Sequence, residues 1–199
     1  MSSETNLQYC DVDSRASGEN RPSNGCLWYA VRVRPRFEKL AADIISAKGY
    51  EEFLPLYRSR RAWSDRVKDL DLPLLPGYFF CRFNIEDRYL AILTTPGVRG
   101  IVGIGKTPVP VEDTEIETIR AVVRSGLTAK PTPYLHVGAR VSINQGPLAG
   151  LEGIITCTDR AHRFVVSVGL LQRSVAVEID REWAIPMQDG RGSQASQAH

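Results

Sequence analysis

At 199 residues the chain is long enough for one ordinary domain or two small ones, and a 43% hydrophobic content is normal for a globular protein. A formal net charge of +2 means that any nucleic-acid contact must come from a local patch rather than from the whole surface. No apolar run approaches the roughly 18 residues of a membrane span, and no basic segment followed by an apolar core opens the chain, so neither a membrane protein nor a secreted one is expected.

Residues 1–26 are rich in Ser, Asn, Asp, Glu and Gly with few apolar anchors, and are predicted to be disordered, as is the tail 188–199. Between them lie a first domain at 27–126, a Pro-containing linker at 127–135 and a second domain at 136–187. Pro131 and Pro133 predict extended, flexible chain in the linker. Cys10, Cys26, Cys81 and Cys157 are scattered, with no C-x-x-C pair and no histidine at ligand spacing. That usage predicts a reducing cytosol, with neither zinc nor disulfides. Cys81 and Cys157 fall in apolar strand patterns and read as small buried hydrophobes.

The first domain opens with the aromatic and β-branched strand Trp28 to Arg34, stopped by Pro35. Phe37, Leu40, Ala41, Ile44 and Ile45 recur at helical spacing and predict an apolar stripe, with Gly49 as its stop. Phe53 to Tyr57 reads as a strand, and the charged Arg58 to Lys68 segment as a hairpin or its extension. Gly77 to Phe83 is a strongly apolar strand. Asn84 is placed to cap a short helix through Leu93, and Pro96-Gly97 turns the chain into a strand at Val98 to Ile104. Thr114-Glu-Ile-Glu117 has the capping-box pattern, ahead of a helix with an apolar side of Ile116, Ile119, Val122 and Val123. This order predicts an α+β domain, an antiparallel sheet with helices packed on it.

In the second domain Val141 and Ile143 alternate with Ser142 and Asn144, and Gly146, Gly150 and Gly153 punctuate the turn after them. Phe164, Val166 and Val168, then Val175, Val177 and Ile179, continue the period of two. A small curved β-barrel is expected.

No catalytic constellation emerges. His136, His162 and His199 sit in unrelated contexts without a Ser, Cys or carboxylate partner pattern. The glycines at 97, 100, 103 and 105 lack the GK[ST] ending and succeeding helix of a phosphate loop. A binding protein without cofactor or metal is expected, not an enzyme.

The stretch Arg140-Val-Ser-Ile-Asn-Gln-Gly-Pro-Leu-Ala-Gly-Leu-Glu-Gly-Ile-Ile, taken with the alternating strands up to about Met187, resembles a KOW module, a five-stranded SH3-like barrel. Leu72-Pro-Leu-Leu-Pro-Gly-Tyr-Phe-Phe80, together with Trp28-Tyr-Ala-Val and Thr95-Pro-Gly-Val98, resembles the N-terminal (NGN) domain of the NusG family of transcription elongation factors. The two occur here in the family's order, over roughly 27–187. Arg-Ala-Trp-Ser-Asp-Arg66 resembles the specialised, RfaH-like antiterminators more than the general factor.

The resemblance implies a monomeric, cytoplasmic elongation and antitermination factor that grips the clamp helices of RNA polymerase. Tyr78, Phe80 and Ile101 match positions lining an apolar cavity for those helices, and Trp28 supports its wall. From the residues alone, the Tyr78 to Phe80 strand is either core on both faces or core on one and a docking face on the other. Arg58, Arg60, Arg61, Arg66 and Lys68 form a basic segment that is either a solvated hairpin or a surface for upstream DNA phosphates. Arg34 and Lys48 match positions that touch the non-template strand in specialised paralogues, although Ile44 and Ala47 depart from two other such positions. Leu151, at the barrel's turn, matches a position that contacts ribosomal protein S10 or Rho. Two alternatives stand beside this reading. One is the general NusG that assists Rho. The other is a ribosome-associated KOW RNA-binding protein, against which the barrel's balanced charges argue.

Overall fold

The computed structural model describes residues 25–62, 67–133, 138–158 and 161–187. The expectations for the N-terminal extension up to residue 24, for the tail, and for Arg66, His136 and His199 lie outside these residues. The first domain runs β1 (Leu27–Val33), α1 (Glu38–Ala47), β2 (Glu51–Phe53), β3 (Leu56–Ala62), β4 (Val67–Pro73), β5 (Tyr78–Phe83), α2 (Ile85–Leu93), β6 (Val98–Ile101), β7 (Gly103–Ile104), β8 (Thr107–Pro108), β9 (Pro110–Val111) and α3 (Asp113–Arg124). Its main sheet is antiparallel in the order β2-β5-β1-β6, with β9 also pairing β1. The α+β class read from the sequence is the class observed.

Strand alternation sorts the core onto two faces. Tyr29, Val31 and Val33 of β1 and Phe79, Cys81 and Phe83 of β5 pack with Ala41, Ala42 and Ile45 of α1 and Ile92 of α2. Trp28, Ala30 and Phe80 face the other way, onto Ile116, Ile119 and Val122 of α3. Asn84 caps α2 as expected, its side chain accepting from the Glu86 N–H at 3.0 Å. The charged segment is a hairpin, β3 paired with β4.

Two helical expectations need correction. On α1 the buried residues are Glu38, Ala41, Ala42 and Ile45, whereas Leu40 is 49% exposed. Small alanines let the helix approach the sheet closely, and that approach rotates the larger Leu40 outward. On α3 the N-cap is Glu112, and the Thr114 hydroxyl lies within the helix, donating to Glu112 Oε2 at 3.2 Å, so the capping box does not form. Val123, expected on its apolar side, is 37% exposed.

The second domain is an antiparallel sheet of six strands. These are β10 (Ala129–Pro133), β11 (Ala139–Ile143), β12 (Glu152–Thr158), β13 (Ala161–Val168), β14 (Arg173–Ile179) and β15 (Ala184–Pro186), in the order β10-β14-β13-β12-β11-β15. Val141, Ile143, Phe164, Val166, Val168, Val175, Val177 and Ile179 are buried in it, as the alternation predicts. The expected linker differs: residues 129–133 form an edge strand in register with β14, Ala129 opposite Val177 and Pro133 opposite Arg173. Prolines two apart on an edge strand aim their missing N–H groups to the same, unpaired side, so the ladder loses nothing. The domains also touch. The apolar cluster on the α3 face continues into the barrel, and the Gly169 N–H donates to Glu115 Oε1 of α3 at 3.2 Å.

Candidate functional site

Three proline turns meet at the start of α1. In Arg34-Pro-Arg-Phe37, Leu75-Pro-Gly-Tyr78 and Thr95-Pro-Gly-Val98 the fourth N–H donates to the first carbonyl, at 3.0, 3.1 and 3.1 Å. The third residues, Arg36, Gly77 and Gly97, have φ of 71°, 86° and 87°. Proline second, positive φ third and this hydrogen bond define type II turns. A Cβ on Gly97 would also lie 2.5 Å from the Phe37 ring, so this site excludes any larger residue on two counts. The second turn delivers Tyr78 to the sheet.

On the α3 face, Trp28 and Phe80 are walls rather than open lining. Phe80 is 0% exposed and stacks on Phe53 with ring centroids 6.1 Å apart. Arg120 of α3 closes the cover, 5.0 Å over Trp28 and 5.1 Å over Phe53, held by Glu51 at 3.1 Å and Glu117 at 3.0 Å. Tyr78 is half-buried and pairs across the sheet with the exposed Arg32. Ile101 does not join them. It lies opposite Val31 and packs in the cluster on the α1 side. The next residue, Val102, packs on the Tyr78 side, with its N–H bonded to the Ala30 carbonyl at 2.8 Å. An irregularity in the β1–β6 register between Arg32 and Val33 hides this from strand counting. Phe53, Val102 and Arg120 therefore belong to this candidate face, and the sequence reading missed them. Strict alternation outward from Gly100 is the signal that would have found Val102.

The basic surface divides. Arg58 is 77% exposed and sits 3.9 Å from Asp71, a weak pair in water. Arg60 stands opposite Asp69, and Arg61 opposite Lys68, on adjacent strands of the hairpin. Arg34 is exposed at its turn, near the exposed Arg36 and Lys39. Lys48 is already engaged: its ammonium donates to the Ala91 carbonyl at 2.9 Å and to Thr95 Oγ1 at 2.8 Å. It ties the end of α1 to the end of α2, and the residue is exposed.

Leu151 is half-buried rather than free. With Pro147 it faces Thr114, Glu117, Thr118, Ala121, Arg124 and Ser125 of α3 across a groove of about 580 Å³. Beside it, burial pushes the Glu115 carboxyl above its ordinary range; the Gly169 hydrogen bond pulls it back and Glu112 pushes it further up. Cys81 is buried and its thiol is pushed far up by burial, so it is an inert core group. Among the described residues no cluster of His, Cys, Asp or Glu could hold a metal ion, and no helix is long and apolar enough to cross a membrane.

Residues 27–120 match the family model for the transcription termination factor NusG. The transcription termination/antitermination protein NusG of Neisseria meningitidis is 25% identical over 172 residues, covering 77% of this chain and 93% of that protein. The Thermus thermophilus NusG is 32% identical over 119 residues, covering 54% and 64%. Among solved structures, one of Thermotoga maritima NusG, described for its domain interaction, superposes with a TM-score of 0.54 at 21% identity, over 82% of this chain and 98% of that one. The sheet with its turn-delivered Tyr78, the barrel that comes after it and these matches agree: residues 27–120 carry a NusG-type domain, and over most of its length the chain is similar to the transcription termination/antitermination proteins NusG.

Proposed function

We propose that this protein is an elongation factor that binds the clamp helices of RNA polymerase through the Tyr78 end of the α3-covered sheet face and keeps transcription processive. The observation that carries this is Tyr78 itself, half-buried on the face where Trp28 and Phe80 are sealed. A rigid aromatic ring on an immobile floor is the usual anchor for a docking helix. Holding the closed clamp better than the open one shifts the polymerase toward elongation. The basic hairpin and Arg34 supply phosphate contacts to upstream or non-template DNA. The turn at Leu151 is the docking point for a second partner, ribosomal protein S10 or Rho. In the described arrangement it faces α3, so that partner competes with the contact between the domains. The test is co-purification of full-length protein with RNA polymerase, wild type against Tyr78→Asp, with circular dichroism as the control for folding.

The Arg61 to Arg66 segment supports an operon-specific antiterminator. The named relatives support a second reading, the general factor that assists Rho, because the Neisseria protein is matched across both domains and bears the general name. Run-through transcription confined to one long operon when the gene is deleted favours the first reading; changes at many Rho-dependent ends favour the second.

A further inference from the structure

Glu38 is the only charged side chain among the described residues that is buried, at 5% exposure. It occupies the first turn of α1, where a carboxyl group complements the helix N-terminus, but a solvent-facing side chain would serve that end without the cost of desolvation. Its buried position is explained by its partner. Glu38 Oε1 accepts the N–H of Gly77, 39 residues away, at 2.9 Å. That N–H belongs to the peptide between Pro76 and Gly77, the central peptide of the Leu75–Tyr78 turn. Type I and type II turns differ by a flip of this one peptide plane. An acceptor fixed on α1 therefore holds the turn in the form that gives Gly77 its φ of 86°. The other side of Gly77 is fixed as well, its carbonyl accepting from the Val33 N–H at 2.9 Å. Tyr78 is the next residue, and its own N–H returns to the Leu75 carbonyl at 3.1 Å.

We propose that Glu38 is a positioning residue for the partner contact made by Tyr78: its buried carboxyl group locks the Pro76–Gly77 peptide, and the locked turn sets where the Tyr78 ring stands. This rests on the reading of Tyr78 as the anchor for polymerase. A group near the edge of a site acts strongly in this way, because a displacement of about 1 Å in a preorganised contact costs one to two orders of magnitude. The conservative Glu38→Gln keeps an acceptor oxygen at the same reach, whereas Glu38→Met fills the same space with none.

The experiment uses the full chain with both variants and Tyr78→Ala, and reads two signals. The first is amide hydrogen exchange at Gly77, with the β1–β5 amides of the paired Tyr29 and Cys81 as internal controls for folding. The second is affinity for RNA polymerase core enzyme. The expected result is that Glu38→Met loses Gly77 protection while the control amides stay protected, and binds polymerase about tenfold or more weakly. Glu38→Gln is expected to restore both signals to within about threefold. Unchanged Gly77 protection in Glu38→Met overturns the lock. Lost protection with normal polymerase affinity, where Tyr78→Ala does weaken binding, overturns the positioning role alone. Normal binding by Tyr78→Ala overturns the anchor reading and the positioning role with it. Should Glu38→Met lose the control amides, Glu38→Gln decides: wild-type protection of Gly77 and wild-type affinity support an acceptor role, and loss of either in a folded Glu38→Gln overturns it.

Discussion

The Glu115 carboxyl group of α3 accepts the backbone N–H of Gly169 at 3.2 Å, and so joins a helix of the first domain to the loop between two barrel strands. The bond spans 54 residues, and it sits beside the groove that Leu151 shares with α3. Burial among barrel residues raises the Glu115 pKa and outweighs the Gly169 hydrogen bond, which lowers it, so the docked arrangement favours the protonated form. A raised pKa contributes stability that is fully present below the free carboxyl's pKa and is lost as pH rises through the raised value.

The contact between domains is therefore expected to tighten as pH falls from neutrality toward the carboxylate range. Glu115→Gln keeps a carbonyl acceptor and removes the charge, so the variant is expected to be at least as closed as wild type at neutral pH, and indifferent to pH. Small-angle scattering across that range, with Gly169 amide exchange, measures both. A wild type that loosens on acidification, or a Gln variant with an undiminished pH slope, contradicts the assignment.

Tyr78→Asp and Phe80→Asp are expected to part company. Tyr78 is half-buried at the end of its face, so its variant folds and loses polymerase. Phe80 is wholly buried against Phe53 and α3, so an aspartate there loses a large packed side chain and buries an unpaired carboxyl group, at a cost of about 4 kcal/mol or more. Denaturant titration and pull-down on the two variants read the difference. Equal stabilities would mean that α3 does not seal the face.

Lys48→Met sets a structural role for this lysine against the expected DNA contact. Its ammonium bonds Ala91 and Thr95, so the substitution is expected to cost about 1 kcal/mol of stability and leave the salt dependence of DNA-complex binding unchanged. Arg60→Glu with Arg61→Glu is expected to do the reverse, lowering preference for the DNA-containing elongation complex over free polymerase and flattening its salt slope. A flattened slope in Lys48→Met would support the DNA reading.

The contrast between these lysine and arginine positions shows how far the sequence could be read. Local rules worked where the partner is near in the chain: Asn84 caps α2 through the N–H two residues ahead, and alternation places Val141, Ile143, Phe164 and Val166 inside the barrel. They failed where the partner is distant. Nothing near Lys48 announces the end of α2, 43 residues on. Ile101 was placed with Tyr78 by resemblance, and the extra residue of β6 in its register with β1 sends it to the other face. Pro131 and Pro133 predict extended chain, which they are, but only the edge position beside β14 makes that chain a strand.

The Leu151 side chain lies between the barrel's turn and α3, so in full-length protein Leu151→Asp places a charge against the apolar side of the groove, next to Ala121 and near Glu117. The domain contact is expected to weaken, because Leu151 loses its packing and Arg124, the cation in the groove, is already paired with Glu117 at 3.1 Å. The barrel interior is untouched, since Val141, Ile143 and Phe164 lie behind the turn. With purified polymerase the variant is expected to bind as well as wild type or better, as the Tyr78 end is unaltered and less of the first domain is covered. In cells it is expected to behave as though the barrel were absent, because the same leucine is the proposed docking point for the second partner. Polymerase pull-down and a run-through transcription assay, made in parallel, separate the two effects. Normal activity in cells would move the partner's docking site elsewhere on the barrel, to the Gly169–Leu171 loop that Glu115 holds.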